Sequence, residues 1–402
     1  MGSGKTSWSV NYINENYGNN ILYITPFLDE VERIIDSCNR DFKQPINKGQ
    51  GKLFSLNELL MCEEDIASTH ELFKHLDEES KQYIKDGHYT LILDEVLNVI
   101  EPYNIKKDDL RILIDSKCIS IDEDGFVMWN QDKKNYDVSF NELKRLAENK
   151  SLISVNGIVL LWRYPPEVFE LFDKVYVLTY LFEASILSNY FNLYRIQYTK
   201  KSICSEDERY KICDYYYANP TTIKEKINIY QGKLNENFHQ KENGLSSTWF
   251  MARHNAEYIK QIRKNIYNYF TNIVGAKSET ILWTTFKKQQ QKLKGKGYTK
   301  QFLACNCRST NEYADTYNLA YAINIYIHPV ISQFFNQKGI YINQDLYALS
   351  EMIQWVWRSR IRKGENINIY VPSIRMRELL MEWLDGRNVL DKIKFVDSQK
   401  VS

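Results

Sequence analysis

The first residues of the chain have the types that bind phosphate. Gly2-Ser3-Gly4-Lys5-Thr6 matches the second half of the loop pattern G-x-x-x-x-G-K-[ST]. Glycines let backbone N–H groups approach a phosphate, Lys5 would reach its terminal oxygens, and the Thr6 hydroxyl would bind Mg²⁺. A helix that begins at Ser7 would direct its N-terminal dipole at the same anion. The spacing therefore predicts a nucleotide site at residues 2–7.

The loop is incomplete as written. The first glycine of the pattern should stand five positions before Gly4, which falls ahead of residue 1, and so does the strand that leads into such a loop. Two interpretations stay open, a truncated reading of a longer chain and a degenerate loop. The second would leave a non-catalytic remnant that serves as a binding or assembly module.

A pair of carboxylates follows an apolar strand. The strand Tyr89–Leu93 is compact and ends at Asp94-Glu95. A carboxylate at the end of a buried strand costs free energy unless it is paired or bound to a metal. Asp94 would hold Mg²⁺ through water, and Glu95 would polarise the attacking water. The alternative is that Asp94 only caps the helix that follows.

Arginines cluster near the C-terminus. If this segment is helical, Gln354, Arg358 and Arg362 share one face, while Arg360 points elsewhere. The guanidinium group suits phosphate, and a finger of this kind stabilises charge on a transferred γ-phosphoryl group. The alternative is a solvated basic helix end.

These residues need an α/β scaffold. Unbroken apolar strands alternate with amphipathic helices, which predicts mostly parallel sheets covered by helices. We predict two lobes, 1–198 and 199–402, with an insertion at about 105–145 and a polar linker at 199–208. The predicted strands are 21–25, 89–93, 158–162, 175–178, 227–230, 280–283 and 367–371, and the predicted helices are 7–16, 28–38, 257–270, 317–328, 346–362 and 374–384.

Composition narrows the class of protein. The net charge of +1 over 402 residues excludes a generally basic surface, so any nucleic-acid contact must come from local clusters. The seven cysteines are scattered without a CxxC pair, which argues against zinc and fits a reducing cytosol. No apolar run approaches the roughly 18 residues that span a bilayer, and no secretory signal is visible. We expect a cytoplasmic protein, in the host cell if viral, without a membrane partner.

The order of the motifs resembles superfamily 2 helicases, and it is most similar to DEAD/DEAH-like helicases of bacteriophages. The similarity extends over nearly the whole chain and includes the stretches 66–73 and 357–365. It implies two RecA-like P-loop lobes, each a mostly parallel sheet flanked by helices, that hydrolyse ATP with Mg²⁺ between them. The segments that carry the similarity are Gly2–Ser7, Thr25-Pro26, Thr69-His70, Asp94-Glu95, Leu178-Thr179-Tyr180 and Gln354–Arg362.

The resemblance assigns a role to each segment. It makes Lys5, Glu95, Gln354, Arg358 and Arg362 catalytic residues. Thr179 would couple hydrolysis to lobe movement, and Thr25, Thr69 and His70 would lie along a nucleic-acid track.

Motif VI usually reads Q-x-x-G-R-x-x-R, but this chain has Trp357 for the glycine and Ile361 for the last arginine. Arg358, Arg360 and Arg362 therefore all stay candidates for the finger, and the shared helical face favours Arg362. Motif II reads Asp-Glu-Val-Leu, which leaves the subfamily unassigned.

Nucleic acid is the expected partner, DNA more than RNA. Lys287 and Lys288 open the densest basic stretch, 287–300, and Tyr298 offers a stacking face. Arg308 and Thr310 lie in a polar segment where a coupling loop is expected. The alternative for the lysines is a solvated surface loop. Replication proteins are possible further partners in phage replication or recombination, and the oligomeric state stays open.

A competing hypothesis is a packaging ATPase-nuclease of the terminase kind. Such an enzyme needs a cluster of acidic metal ligands in its C-terminal lobe. Asp315 and Asp345 are sparse and unpatterned candidates. A metal-dependent nuclease assay would distinguish this enzyme from a motor.

Overall fold

The computed structural model describes residues 4–133, 139–157, 159–206, 209–217, 220–236, 243–305, 312–387 and 393. The elements of the first half are, in chain order, α1 (Lys5–Glu15), β1 (Asn20–Thr25), α2 (Leu28–Ser37), α3 (Lys52–Met61), β2 (Ile66–Thr69), α4 (His70–Phe73), α5 (Glu78–Asp86), β3 (Tyr89–Asp94), β4 (Ile100–Tyr103), α6 (Lys107–Asp115), β5 (Ile119–Ile121), β6 (Val127–Trp129), α7 (Asn141–Glu148), β7 (Leu152–Val155), β8 (Val159–Arg163), β9 (Lys174–Leu178) and α8 (Ile186–Leu193).

The second half continues with β10 (Lys201–Glu206), β11 (Arg209–Asp214), β12 (Ile227–Ile229), α9 (Ser247–Met251), α10 (Ala256–Asn268), β13 (Ile281–Thr284), α11 (Gln290–Leu293), β14 (Asn318–Tyr321), α12 (Pro329–Gln337), α13 (Gln344–Val356), β15 (Ile367–Tyr370) and α14 (Ile374–Leu384). Single turns of 3₁₀ helix include Lys287–Gln289 and Arg360–Lys363, and a π-helical turn, Tyr269–Ile273, extends α10.

The first lobe is built on a parallel sheet of order β2-β1-β3-β9. The predicted strands at 21–25, 89–93 and 175–178 are confirmed as β1, β3 and β9. All six residues of β3 are buried, because helices cover both faces of the sheet. Pro26 follows β1 directly, and α2 begins at Leu28 with Asp29 and Glu30 in its first turn. Acidic residues there interact favourably with the helix dipole.

An antiparallel unit follows whose strands do not pair with this sheet. It consists of the sheet β4-β8-β7, the hairpin β5–β6 and helices α6 and α7, and it extends over residues 100–163. The strand predicted at 158–162 belongs here as β8, which pairs antiparallel with β4 and β7. Its assignment to the parallel sheet was wrong, because an apolar run does not reveal which strands it pairs with.

The segment between the two parallel sheets is a hairpin. Strands β10 and β11 pair antiparallel from Lys201–Asp214 to Glu206–Arg209. The segment predicted as a polar linker, 199–208, lies between the two sheets, and its residues 201–206 form strand β10 of this hairpin. Its polar composition is compatible with a strand, since a hairpin that is wet on one face needs few apolar residues.

The second lobe has a parallel sheet of order β12-β15-β14-β13. Strand β14 lies inside it with all four residues buried, so the helix predicted at 317–328 was wrong. A continuously apolar run has no clear period, and length alone favoured a helix. Neighbouring strands are linked by side chains, because the amide of Asn368 donates to Asn318 and that of Asn228 donates to Asn368.

The protein thus has two RecA-like α/β lobes, each a parallel sheet flanked by helices, as predicted. Helix α12 joins them, because its apolar side chains pack into the first-lobe core, the apolar cluster that includes Leu22, Leu91 and Tyr164. It contacts β4 and β7, and the Gln337 amide donates to Asn156 Oδ1 at 2.7 Å. Among the described residues, no helix combines the length and apolar character that crossing a bilayer requires.

We predict that Phe335→Ala lowers the free energy of unfolding by about 3–5 kcal/mol, because truncating a buried phenylalanine leaves a cavity. Phe335 is fully buried in the first-lobe core. Urea unfolding measures the effect. The control is Phe54→Ala, at a phenylalanine that is 46% exposed; its cost should be about 1 kcal/mol or less. Equal losses for the two variants would contradict the seating of α12 in the core.

Candidate functional site

Helix α1 begins with an uncapped N-terminus. Gly4 is its N-cap, has φ +75°, and offers no side chain to the amides of the first turn. Lys5, Thr6 and Ser7 follow, while Trp8 and Ile13 anchor the helix in the core. Gly2 and Ser3 lie outside the described residues. Free N–H groups at the start of an 11-residue helix attract anions.

Asp94 lies at the carboxyl end of β3 and is only 8% exposed. The hydroxyl of Tyr23 donates to Asp94 Oδ2 at 3.2 Å. Burial and, to a smaller extent, the nearby charges of Glu95 and Glu30 raise the pKa of Asp94 to about 7. Asp94 does not cap a helix, because no helix follows β3 before β4. The buried carboxylate is thus costly to ionise, and a cation beside it would offset that cost.

Glu95 has a constrained main chain. Its φ is +67°, in the left-handed region, and its N–H donates to the carbonyl of Leu178 at the end of β9. The side-chain atom Oε2 has essentially no exposed surface and no hydrogen-bond partner in the described part of the chain. A buried carboxylate oxygen without a donor is an acceptor available to a ligand or a water molecule.

Lys5 faces this carboxylate pair. Burial lowers the pKa of the Lys5 ammonium, and the charges of Glu95 and Asp94 act in the opposite direction. Lys5 and the two acidic residues, which follow it by 89 and 90 positions in sequence, therefore share one electrostatic environment. Thr6 is the next residue of the same helix turn. Hydroxyl and carboxylate oxygens are ligands that Mg²⁺ prefers, so Thr6 and Asp94 are suited to that ion.

The arginine segment is not one helix. Helix α13 ends at Val356, Ser359 is extended with ψ −179°, and a 3₁₀ turn carries Arg360–Lys363. The predicted helix through residue 362, with Gln354, Arg358 and Arg362 on one face, was therefore wrong. Ser359 ends it, because its hydroxyl donates to the Val356 carbonyl and offers the backbone an alternative to the helix.

Two of the three arginines nevertheless face the first lobe. Arg358 and Arg362 both act electrostatically on Glu30 of α2. Burial raises the pKa of Glu30, and the charges of Arg33, Arg358 and Arg362 partly counteract that rise. Arg360 points away. Its Nε donates to the Asn366 carbonyl at 2.6 Å, and its guanidinium lies 3.8 Å from the centroid of the Tyr317 ring.

Glu30 is a residue that the sequence prediction missed. It is 7% exposed, it forms an ion pair with Arg33, and its charge also reaches Asp94. Its charge is therefore coupled both to Asp94 and to the arginines of the second lobe. A signal was present in the sequence, since Glu30 lies one turn before Ile34 on the apolar face of α2.

Gln354 and Thr179 line the same small cleft between the lobes. Val96, Leu97 and Asn98, which follow the carboxylate pair, lie on its first-lobe side. Gln354 is buried and donates to Ser350 Oγ at 3.3 Å. The segments after β3 and β9 thus meet α13 at one place.

Of the candidate nucleic-acid residues, Thr25 and Thr69 are register partners at the ends of β1 and β2, and His70 follows Thr69, whereas Lys287 and Lys288 belong to the second lobe. The Thr25 side chain is fully buried, and Thr69 caps α4 by accepting from the Leu72 N–H. A ring nitrogen of His70 donates to the main-chain carbonyl of Asp94 at 3.1 Å, which places His70 beneath the carboxylate pair. Lys287 and Lys288 are exposed in the turn after β13. Arg308 and Thr310 lie outside the described residues.

Comparisons with known proteins give two family matches. Residues 221–384 match the model of the YonV C-terminal Rossmann-like domain, and residues 100–162 match the model of the YonV middle domain. The chain is also 44% identical to the SPbeta prophage-derived uncharacterized protein YonV of Bacillus subtilis strain 168, over 96% of this chain and 97% of that protein.

Among solved structures, similarity is found to XPD proteins. An XPD protein in its apo form is 12% identical, with a TM-score of 0.48, over 95% of this chain and 94% of that chain. Xpd4 of S. tokodaii is 12% identical, with a TM-score of 0.44, over 97% of this chain and 93% of that chain.

We predict that Asp94→Asn stabilises the protein at pH 8. The folded protein binds the Asp94 proton more tightly than the unfolded chain does, because the pKa is about 7 in the folded state and about 4 in the unfolded state. The free energy of unfolding therefore falls as the pH rises from about 4 through about 7. The amide removes this loss, and the expected gain at pH 8 is on the order of 2–4 kcal/mol, with little change at pH 4.

Urea unfolding at both pH values, without Mg²⁺, measures the gain. Asp86→Asn is the matched control, because Asp86 is an exposed aspartate at the end of α5. If the free energies of unfolding of the wild type and of Asp94→Asn changed in parallel with pH, the pKa of Asp94 would not be raised by folding.

Proposed function

The chain belongs to the YonV family, and we propose that it is an ATP-dependent nucleic-acid motor of the helicase type. The observation that carries this proposal is one convergence of charges from the two lobes. Lys5, Asp94 and Glu95 come together from the first lobe, and Arg358 and Arg362 of the second lobe reach Glu30 beside them. Such a set, divided between two lobes, is suited to phosphoryl transfer that depends on lobe movement.

The first lobe would bind the nucleotide. The uncapped amides of α1 would surround the phosphates, and the Lys5 ammonium would lie against their terminal oxygens. Thr6 and Asp94 would hold Mg²⁺, which when bound neutralises charge on the phosphates. Binding would also offset the raised pKa of Asp94, because a cation beside the carboxylate favours its ionised form.

Glu95 would act on the attacking water. Its Oε2 is buried without a donor, so it can accept a hydrogen bond from a water molecule and take up its proton. Glu95 is held by its N–H bond to Leu178, the residue before Thr179. Its position therefore depends on the strand that leads to the interlobe cleft, where Thr179 meets Gln354.

The second lobe would complete the site. Arg358 and Arg362 would stabilise the charge that develops on the γ-phosphoryl group, and their approach would require the lobes to close. Hydrolysis would remove that charge and let the cleft reopen. Thr179 and Gln354, which line the cleft from opposite lobes, would transmit this change. Closing and opening would then move the chain along a strand or separate two strands.

Nucleic acid is the proposed substrate, DNA in preference to RNA. Lys287 and Lys288 are exposed side by side in the second lobe, where they can contact phosphates without reading sequence. The relative in Bacillus subtilis is prophage-derived, which supports a cytoplasmic role in phage replication or recombination.

We predict that the wild-type chain hydrolyses ATP faster when single-stranded DNA is added, and that Lys5→Ala loses nucleotide binding and turnover together. Glu95→Gln should keep nucleotide binding and lower kcat by about 10²–10⁴-fold, because it removes only the proton acceptor. Phosphate release with and without single-stranded DNA or RNA, and titration with a fluorescent ATP analogue, measure these effects.

Each failure has a separate meaning. Turnover that neither DNA nor RNA stimulates would exclude a motor. Full turnover by Lys5→Ala would exclude this site. A chain that binds nucleic acid but no nucleotide would be a binding module, the non-catalytic alternative.

We further predict that Arg358→Ala and Arg362→Ala each lower kcat by on the order of 10³-fold, with little change in the affinity for nucleotide, because they act on the transition state. Arg360→Ala is the matched control from the same turn. It should keep kcat within a few-fold of wild type, since Arg360 is engaged with Tyr317 and Asn366. A large loss for Arg360→Ala beside an active Arg362→Ala would reverse the assignment of the finger.

A further inference from the structure

The β10–β11 hairpin folds back onto the phosphate loop. It follows α8, the last helix before the second lobe, and precedes β12, the first strand of the second sheet. One of its residues, Tyr210, lies directly on Gly4. A Cβ atom added to Gly4 would fall 2.1, 2.3 and 2.7 Å from three atoms of the Tyr210 ring. The ring therefore packs against the glycine main chain, in space that only glycine leaves open.

Behind this contact lies an aromatic cluster formed by Trp8, Tyr12, Tyr176 and Tyr210. The Trp8 and Tyr12 rings of α1 lie 5.1 and 5.2 Å from the ring of Tyr176 on β9, in edge-to-face geometry. Tyr210 and Ile203 of the hairpin pack onto the same core. The cluster thus joins the phosphate-binding helix, the strand that leads to Thr179, and the connection between the lobes.

The start of α1 needs such support. A helix usually gains a fixed N-terminus from a Ser, Thr, Asp or Asn cap, but the cap here is Gly4, which has no side chain and a left-handed φ. Glycine is also the residue with the most backbone freedom to lose. Only packing from outside can then hold the first turn, and Tyr210 supplies that packing.

We propose that Tyr210 is a positioning residue of the nucleotide site, which holds the Gly4 turn and makes its geometry depend on the interlobe hairpin. This inference rests on the proposed function. Movement of the second lobe would pull on β11, shift the Tyr210 ring, and loosen or tighten the amides that surround the phosphates. The ring carries the effect, because the Tyr210 atoms that lie on Gly4 are ring carbons.

We predict that Tyr210→Ala raises the KM for ATP about tenfold with a smaller change in kcat, because the loop must be ordered at each binding event. Tyr210→Phe should stay within twofold of wild type, since it keeps the ring. Tyr216→Ala is the control for loss of a hairpin tyrosine, because Tyr216 lies beyond β11 and is 53% exposed. Steady-state kinetics on the full chain measures all three.

A second measurement needs no ATP. Amide hydrogen exchange of the nucleotide-free chain should become faster in residues 5–8 and in the hairpin for Tyr210→Ala, but not for Tyr210→Phe or Tyr216→Ala. The inference is overturned if Tyr210→Ala leaves the exchange of residues 5–8 unchanged. It is also overturned if exchange becomes faster but the KM for ATP of an active protein stays the same. A wild-type chain that binds no nucleotide refutes the proposed function instead, and exchange then still decides whether Tyr210 holds the turn.

Discussion

The burial of Asp94 is the constraint on which the rest of the site depends. A carboxylate at the end of a central strand, beside Glu95 and Glu30, is held with a pKa of about 7. Its ionised form lowers stability, and such groups are typical of sites where a ligand supplies the missing charge. The surrounding elements are arranged around it. Helix α1 brings Lys5, β1 brings the Tyr23 hydroxyl, and β9 fixes the main chain of Glu95.

The two lobes meet through contacts of opposite character. At one place α12 inserts Ile331, Phe334 and Phe335 into the first-lobe core, a dry contact that is stable without any ligand. At another, the charges of Arg358 and Arg362 act on Glu30 of the first lobe, and a cleft between the lobes is lined by Thr179 and Gln354. Apolar packing can hold the lobes together while the polar cleft exchanges water for a charged ligand. Movement between the lobes would then be concentrated at the cleft and at the hairpin.

Local pattern predicted the elements whose burial has a clear period or whose apolar runs are short. Helices α2, α10 and α14 were predicted within a few residues because their apolar positions repeat with helical spacing, and the buried strands β1 and β3 were predicted because their apolar runs are short. Strand β14 was taken for a helix, because a fully buried strand shows no alternation. The arginine segment was predicted to be one helix, and the structure breaks it at Ser359. Hydrogen bonding by that one hydroxyl outweighed the helical spacing.

By itself the sequence determined which chemical groups are present and in which order. These are a phosphate loop, a carboxylate pair at the end of a strand and an arginine cluster near the C-terminus. They depend only on residue type and local spacing. Only the tertiary structure decided which groups meet. It coupled the charge of Glu30 to Asp94 and to the arginines, turned Arg360 away towards Tyr317, and set the Tyr210 ring on Gly4. These contacts join residues up to hundreds of positions apart. They follow from strand order and from where helices end, which no local pattern encodes.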